Sequence, residues 1–157
     1  MKRSLCLVFV FLSSNALAWE SKPNCDNPSP VVKDSKATSL EDCQAQCDGN
    51  AECKAVVFVS GWKKCWHKKA AKQANLRFIS GEMPADHSFA GGAYKVENDH
   101  TGKDLKREVL GSADECGKAC EGNKDCQAFT YLEGYKVCWL KKAGGHFNPK
   151  IFYCAAK

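Results

Sequence analysis

The sequence CGKACEGNKDCQAFTYLEGYKVCW, residues 116–139, determines the fold of this chain because it occurs twice. Seventy-three residues earlier, residues 43–66 read CQAQCDGNAECKAVVFVSGWKKCW. The four cysteines and the final tryptophan of the two segments match in one register without a gap. Such a match indicates an internal duplication, and every other inference depends on what the repeated unit is.

Each copy begins with the pattern of a short helix. Ser39 and Ser112 each stand three residues before an acidic side chain, as N-cap residues do, and Gly49 and Gly122 follow as C-caps. We therefore predict a helix over residues 40–48 and its counterpart in the second copy. The two cysteines on each helix are four residues apart, so they share one face.

Two apolar segments follow each helix and are separated by a glycine turn, which predicts a β-hairpin. If one helical cysteine bonds to the second hairpin strand, alternation turns Cys138 and Leu140 towards the helix and Val137 and Trp139 away from it. The other helical cysteine then reaches only its near neighbour. This arrangement predicts the disulfides Cys43–Cys65, Cys47–Cys53, Cys116–Cys138 and Cys120–Cys126.

The N-terminus has the pattern of a secretory signal. Lys2 and Arg3 precede the apolar residues 5–12, and Ala16-Leu17-Ala18 suits signal peptidase, so we predict that residues 1–18 are removed. The apolar run is too short to span a membrane, and no later stretch is apolar enough to do so. We expect a soluble, exported product without a membrane span.

Export changes the cysteine count and the charge. Removing Cys6 turns eleven cysteines into ten, an even number that favours disulfides in an oxidising compartment. The formal net charge falls from +5 to +3, a mild basicity that does not indicate nucleic acid binding. Disulfides are needed because a unit of about 70 residues gains only about 3–5 kcal/mol from one apolar core.

Residues 82–92 have few apolar side chains and contain Met83-Pro84 and Gly91-Gly92, which is typical of a linker. The predicted organisation is therefore a signal peptide and two domains joined by that linker: 1–18, 19–81, 82–92 and 93–157.

These motifs resemble the PAN/apple domain family. The resemblance is carried by the helical Cys-x3-Cys, by Cys126-Gln-Ala-Phe-Thr-Tyr131 and by Cys138-Trp-Leu-Lys141, and it covers nearly the whole mature chain. It implies an α+β fold of two tandem domains, each a short helix cradled on a curved antiparallel sheet. Two such domains are similar to the galactose-binding microneme lectins of apicomplexan parasites and to secreted glucan-binding proteins of oomycetes. The first similarity implies secretion through an organelle such as the microneme.

Some members of the family carry a third bridge between their terminal strands. Here Cys25 is the N-terminal partner in the first copy, but the residue equivalent to Cys154 is Gly81. In the second copy Cys154 is present, but the residue equivalent to Cys25 is Asn98. We expect one Cys25–Cys154 bridge between the ends of the protein, because leftover thiols in exported chains seldom stay free. The alternative is pairing with another chain in a covalent dimer.

Catalysis is not indicated by the sequence. Most cysteines are assigned to disulfides, the four histidines are scattered, and neither metal-ligand spacing nor a nucleophile with its base is visible. We therefore expect a protein that is not an enzyme and that has no cofactor or metal.

Glycan recognition requires aromatic faces and fixed polar partners for hydroxyl groups. The second copy is richer in both, and its candidate carbohydrate-binding residues are Asp99, His100, Tyr131, Tyr135, Lys150 and Tyr153. The alternative is that the tyrosines, like Trp66 and Trp139, are packing residues. We expect one site, in the second domain, for galactose or N-acetylgalactosamine on host or cell-surface glycans. A homodimer would add avidity.

A second binding class is suggested by residues 62–77, which hold six fixed positive charges and no acid. Lys63, Lys64, Lys68 and Lys69 are the candidates for binding sulfated glycans such as heparan sulfate. The alternative is a solvated hairpin edge whose lysines discourage aggregation. A protein-binding module and a cell-wall glucan binder are further alternatives.

Overall fold

The computed structural model describes residues 18–157, so the predicted signal peptide, except for its last residue, lies outside the described residues. The first half of the described chain contains one helix and seven strands, with a single 3₁₀ turn at Ser60–Trp62. These elements are β1 (Glu20–Pro23), β2 (Cys25–Asp26), β3 (Val31–Lys36), α1 (Leu40–Asp48), β4 (Ala55–Val59), β5 (Lys64–Lys68), β6 (Ala74–Asn75) and β7 (Arg77–Glu82).

The second half repeats this order. Its elements are β8 (Lys95–Val96), β9 (Asn98–His100), β10 (Asp104–Val109), α2 (Ala113–Glu121), β11 (Ala128–Glu133), β12 (Val137–Lys141), β13 (Phe147–Pro149) and β14 (Phe152–Ala156). The predicted helices and hairpins are therefore present, within an α+β fold.

Both helices start at the predicted serine caps. The Ser39 side chain accepts a hydrogen bond from the amide of Asp42 at 3.2 Å, and Ser112 accepts one from Glu115 at 3.1 Å. The acidic side chains reach one residue further than in a capping box, because the Asp42 carboxylate accepts from the Thr38 amide at 2.8 Å. Each cap thus satisfies one backbone donor that the helix start leaves free and one on the residue before the cap.

Two five-stranded antiparallel sheets form the body of the protein, and each contains a strand from the other half of the chain. The first sheet has the order β1-β14-β4-β5-β3, and the second has the order β10-β12-β11-β7-β8. Hence β14, the last strand of the second half, pairs with β4 of the first half, and β7 of the first half pairs with β11 of the second. The two halves therefore exchange their last strands, and neither sheet is confined to residues 19–81 or 93–157.

Part of the predicted linker, residues 82–92, is built into the second half. Met83 and Phe89 are buried in the cluster beneath α2, and the Phe89 ring meets Phe129 edge-on with 5.5 Å between centroids. Gly117 on α2 leaves room for Phe89, since a Cβ there would lie 2.4 Å from the ring. These contacts hold the segment against the helix.

Three apolar clusters follow from the alternation of side chains along the strands. Cys43, Cys47, Val56 and Phe58 belong to a cluster beneath α1, and a corresponding cluster lies beneath α2. Between the sheets lies a central cluster, to which both halves contribute: Cys25, Val57, Val59, Leu76, Phe78, Leu132, Phe152 and Cys154. Trp66 and Trp139 pack against the central cluster, on the face away from the helices as predicted.

The glycine repeated at 61 and 134 marks where the exchanged segments pass closest. A Cβ on Gly134 would lie 2.2 Å from the Asn75 carbonyl oxygen, just before β7, and its φ of +96° also favours glycine. A Cβ on Gly61 would lie 3.1 Å from the Pro149 carbonyl oxygen, shortly before β14. Each hairpin turn therefore leaves space for the backbone of the other half.

Five disulfides join the ten cysteines in the described part of the chain. Within the halves, the pairs are Cys43–Cys65, Cys47–Cys53, Cys116–Cys138 and Cys120–Cys126. The fifth pair joins Cys25 to Cys154 in the same chain, with 5.8 Å between their Cα atoms. Cys43–Cys65 and Cys116–Cys138 join each helix to its sheet, and Cys47–Cys53 and Cys120–Cys126 join each helix to the loop that follows it. The fifth fixes the exchanged strand β14 to the N-terminal segment.

Candidate functional site

A small cleft opens on the central face of the second sheet, and we call it the Asp99 cleft. Its volume is about 180 Å³. The lining residues come from both halves: Trp62, Phe78, Asp99, Asp104, Leu132, Trp139 and Lys141. The alternation of side chains along a strand places Trp139 and Lys141 together, because they are two residues apart on β12 and both face away from α2.

Aromatic rings form one side of the Asp99 cleft. Trp62, in the turn between β4 and β5, is 49% exposed and meets Phe78 edge-on with 5.9 Å between centroids. Trp139 is half-buried beside them. Exposed ring faces of this kind can stack on the C–H groups of a sugar or on another apolar ligand surface.

Charged side chains form the other side. Asp99 pairs with the buried Lys150, and the Lys141 ammonium lies 3.9 Å from Asp99 and 2.7 Å from Asp104. The Thr130 hydroxyl donates to Asp99 at 3.0 Å. Since each buried charge has an opposite charge beside it, the network can persist in a partly dry site. It offers fixed acceptors and donors to the hydroxyls of a ligand.

Lys150 links the charged side to the aromatic side. Its ammonium lies 4.7 Å from the centroid of the Trp62 ring and 5.2 Å from that of Phe78. A cation over an aromatic face is attracted to it, so Lys150 helps to hold the Trp62 ring in place. The same ammonium neutralises the charge of Asp99.

Of the six predicted carbohydrate-binding residues, the structure brings together Asp99 and Lys150. His100 is buried and saturated, because its Nε2 lies 3.0 Å from a Glu82 carboxylate oxygen and its Nδ1 accepts from the Gly102 amide at 3.2 Å. His100 thus serves the packing of the second half and does not line the Asp99 cleft.

Tyr131 and Tyr153 also lie away from the cleft. Tyr131 is opposite Cys138 in the hairpin and therefore faces α2, where its hydroxyl donates to the Leu110 carbonyl at 3.1 Å. Burial raises the pKa of this hydroxyl. Tyr153 packs against the cluster beneath α1, with 6.5 Å between its ring centroid and that of Phe58.

Tyr135 is exposed and lies over the first half, not over the Asp99 cleft. Its hydroxyl donates to the Asp26 carboxylate. Burial of the hydroxyl, with that hydrogen bond, raises the pKa of Tyr135 to about 12. Tyr135 therefore belongs to a separate cleft beside Asp26.

The four lysines suggested for sulfated glycans do not form one free patch. Lys64 pairs with Asp34 at 2.5 Å, and Lys68 is buried with its ammonium donating to the Ser29 carbonyl at 3.2 Å. Burial lowers the pKa of Lys68, and the negative charge of Asp26 partly opposes that shift. Lys63 and Lys69 are exposed.

Sequence reasoning missed Trp62, Asp104 and Lys141 as cleft residues, and it missed Thr130 as the hydrogen-bond donor to Asp99. The signal for Lys141 was present, since the predicted alternation turns Trp139 away from the helix and Lys141 follows two residues later. Trp62 carried no such signal, because it reaches the cleft across the boundary between the two halves.

Two absences apply to the described residues 18–157. No group of three or more histidine, cysteine or acidic side chains is arranged to hold a metal ion. Among the same residues, no helix has the length and apolar character needed to cross a membrane.

The disulfide-stapled helix on an antiparallel sheet, present twice, defines the class of protein. A model of the PAN domain matches residues 19–88 and again residues 94–155, so the chain belongs to the PAN domain family.

A similar protein and a similar solved structure both come from Toxoplasma gondii. Micronemal protein 4 of Toxoplasma gondii is 27% identical over 124 residues, which is 78% of this chain and 20% of that protein. This chain thus spans about a fifth of the relative's length. The solution structure of the two N-terminal apple domains of T. gondii microneme protein 4 is 19% identical, with 83% of this chain and 84% of that chain covered and a TM-score of 0.31.

Proposed function

We propose that this protein is a secreted, non-enzymatic lectin that binds a galactose-type sugar in the Asp99 cleft. The observation that carries the proposal is the pairing, in one cleft, of the Trp62 and Trp139 rings with the charged side chains of Asp99, Asp104 and Lys141. Rings supply stacking surface, and fixed charges supply directional hydrogen bonds, which are the two needs of sugar recognition.

Galactose specificity is supported by the resemblance of the two-domain arrangement to galactose-binding microneme lectins. The natural ligands would be host or cell-surface glycans that end in galactose or N-acetylgalactosamine. Export would require removal of residues 1–18, which N-terminal sequencing of the secreted protein can check. A homodimer would present two sites and increase avidity, and light scattering can measure the mass.

A glycan array at low and raised salt, with galactose and heparin as competitors, tests the proposal. Binding that resists salt and is inhibited by galactose supports it. The variants Trp62→Ala and Asp104→Asn should each weaken binding about tenfold or more, equivalent to about 1.4 kcal/mol. Asp125→Asn is the matched control, because Asp125 lies on a surface groove beside α2, away from the Asp99 cleft.

Other outcomes would replace the proposal. Salt-sensitive binding that heparin inhibits, and that is lost when Lys63 and Lys69 are neutralised, would establish the sulfated-glycan alternative. Retention on insoluble glucan would indicate a cell-wall binder. Binding to a protein that free sugar does not inhibit would indicate a protein-interaction module.

A further inference from the structure

We propose that the Asp99 cleft is one part of an extended site that takes a glycan of two or more rings. The other part is a second cleft, beside Asp26, which we call the Asp26 cleft. This inference rests on the proposed function, because the first ring of the glycan lies in the Asp99 cleft and the next ring lies in the Asp26 cleft.

The Asp26 cleft has a volume of about 290 Å³. Residues of both halves line it: Asp26, Val31, Trp62, Trp66, Lys68, Leu76, Leu132, Tyr135 and Phe152. It lies on the central face of the first sheet, where Trp66 and Phe152 pack with the central cluster.

The internal duplication relates the two clefts. Asp26, Trp66 and Lys68 occupy the positions of Asp99, Trp139 and Lys141, each 73 residues earlier. An acid, a tryptophan and a buried lysine are therefore present in both clefts. The same groups that suit a sugar in the Asp99 cleft recur in the Asp26 cleft.

The two clefts are adjacent. Trp62 and Leu132 line both of them. Trp62 meets Phe78, which lines the Asp99 cleft, and Phe152, which lines the Asp26 cleft, with centroid distances of 5.9 and 6.1 Å. Phe78 and Phe152 are stacked with 5.2 Å between centroids. The half-exposed Trp62 indole thus stands between the clefts, where a glycan can cross it by stacking.

The volumes favour one extended ligand over two separate ones. Ligand pockets in proteins typically measure about 300–1,000 Å³. The Asp99 cleft, at about 180 Å³, falls below that range and the Asp26 cleft, at about 290 Å³, lies at its lower end, whereas the two clefts taken together fall well within it.

The side chains of the Asp26 cleft predict what kind of sugar ring binds there. The Lys68 ammonium has three N–H donors and makes one hydrogen bond, to Ser29, so two donors are available to hydroxyls. Val31 stands where the Asp99 cleft has Asp104, and Leu76 and Phe152 add further apolar surface. The Asp26 cleft therefore favours a ring with one apolar face and hydroxyls along one edge.

Calorimetry with free galactose, lactose, N-acetyllactosamine and galactotriose tests the proposal. At least one galactose-terminated oligosaccharide should bind about tenfold or more tightly than galactose. The variant Val31→Trp fills the Asp26 cleft from an exposed position, so it should reduce the oligosaccharide affinity to that of galactose and leave the galactose affinity unchanged. Val109→Trp is the matched control, since Val109 is also an exposed strand valine and lines neither cleft.

The outcomes separate the two proposals. If galactose binds and no oligosaccharide binds more tightly, or if Val31→Trp leaves the oligosaccharide affinity unchanged, the extended site is overturned while the lectin function stands. If none of the four sugars binds, both proposals are overturned.

Discussion

Ser80 and Cys154 occupy equivalent positions in the two sheets, although they are 74 residues apart in a duplication that repeats every 73. Cys154 lies opposite Val57 and Ser80 lies opposite Thr130, and Val57 and Thr130 are themselves related by 73 residues. The alignment by sequence alone matched Cys154 with Gly81. One extra residue therefore precedes the last strand of the second half.

This equivalence changes the account of the Cys25–Cys154 bridge. The counterpart of Cys25 is Asn98, and the Ser80 hydroxyl donates to the Asn98 carbonyl at 2.8 Å. The pair Cys25 and Cys154 is thus matched by Asn98 and Ser80 in the equivalent place, where both cysteines are missing. Because β14 is exchanged into the first sheet, the bridge between the two ends of the chain joins β14 to the short strand β2 beside it.

Replacing both cysteines by their counterparts, Cys25→Asn with Cys154→Ser, should lower the free energy of unfolding. The bridge spans 129 residues, for which chain entropy gives about 5 kcal/mol, whereas the Cys47–Cys53 bridge spans 6 residues and gives about 2 kcal/mol. Denaturant unfolding of this double variant, and of a second one in which Cys47 and Cys53 are both replaced, measures the difference in the free energy of unfolding. An equal loss in the two would show that the long bridge does not constrain the unfolded chain.

The reverse exchange should introduce a sixth disulfide. Ser80→Cys with Asn98→Cys places two thiols at the positions of Cys154 and Cys25, and closing 18 residues adds up to about 3 kcal/mol. Mass spectrometry of the unreduced protein detects the bridged peptide, and Ser80→Ala with Asn98→Ala is the control for lost hydrogen bonds. Finding two free thiols in the folded variant would contradict the equivalence of the two positions.

Gly134→Ala should destabilise the protein more than Gly144→Ala. Both glycines have positive φ, +96° and +91°, so alanine is strained at either position. A Cβ on Gly144 meets no atom within 4 Å, whereas on Gly134 it lies 2.2 Å from the Asn75 carbonyl oxygen. The clash adds about 1–3 kcal/mol. Equal changes in thermal stability would mean that the exchanged segment does not pass this turn closely.

The local elements could be predicted from the sequence because their causes are local. Ser39 and Ser112 cap helices through their own neighbours, and the Cys-x3-Cys spacing fixes which face each helix turns to its sheet. The choice of partner for a strand, by contrast, depends on segments that are distant in the sequence. The alternating residues of Arg77–Glu82 suit either hairpin, so the strand exchange was not predictable from the pattern.

The candidate site was predicted only in part for the same reason. Asp99 and Lys150 were identified because an acid and a lysine suit sugar hydroxyls. The pairing of β9 with β13 brings the two residues together. Trp62 reaches the Asp99 cleft from the other half, which depends on how the halves pack. Tyr131 does not line the Asp99 cleft, because its position opposite Cys138 turns its side chain towards α2.

His67→Leu should stabilise the protein, and more so in acid. His67 is fully buried where the second half has Leu140, and neither ring nitrogen has a hydrogen-bond partner in the described structure. Burial, with a smaller effect of the Lys33 charge, lowers the pKa of His67 in the folded state. The unfolded state keeps an ordinary pKa of about 6.5.

The direction in which stability changes with pH follows from proton binding by His67. Below about pH 6.5 the unfolded chain binds a proton that folded His67 does not, so stability falls by up to about 1.4 kcal/mol per pH unit until the lowered pKa is reached. His67→Leu should remove this loss, whereas the exposed-histidine variant His146→Asn should keep it. Thermal unfolding from pH 7.5 to pH 5 measures both. Parallel curves for the wild type and His67→Leu would contradict the prediction.

Residues 77–151 should fold alone, whereas residues 93–157 should not. The first fragment contains all five strands of the second sheet, together with α2 and its two disulfides. The second fragment lacks β7, so β11 has an unpaired edge, and its strand β14 has lost its partner β4. Unpaired buried backbone groups are costly, and open edges promote aggregation. Dispersed amide NMR signals and cooperative unfolding for 77–151, with neither for 93–157, would establish that the folding units follow the exchanged strands. The opposite result would place the folding units at the boundaries of the sequence repeat.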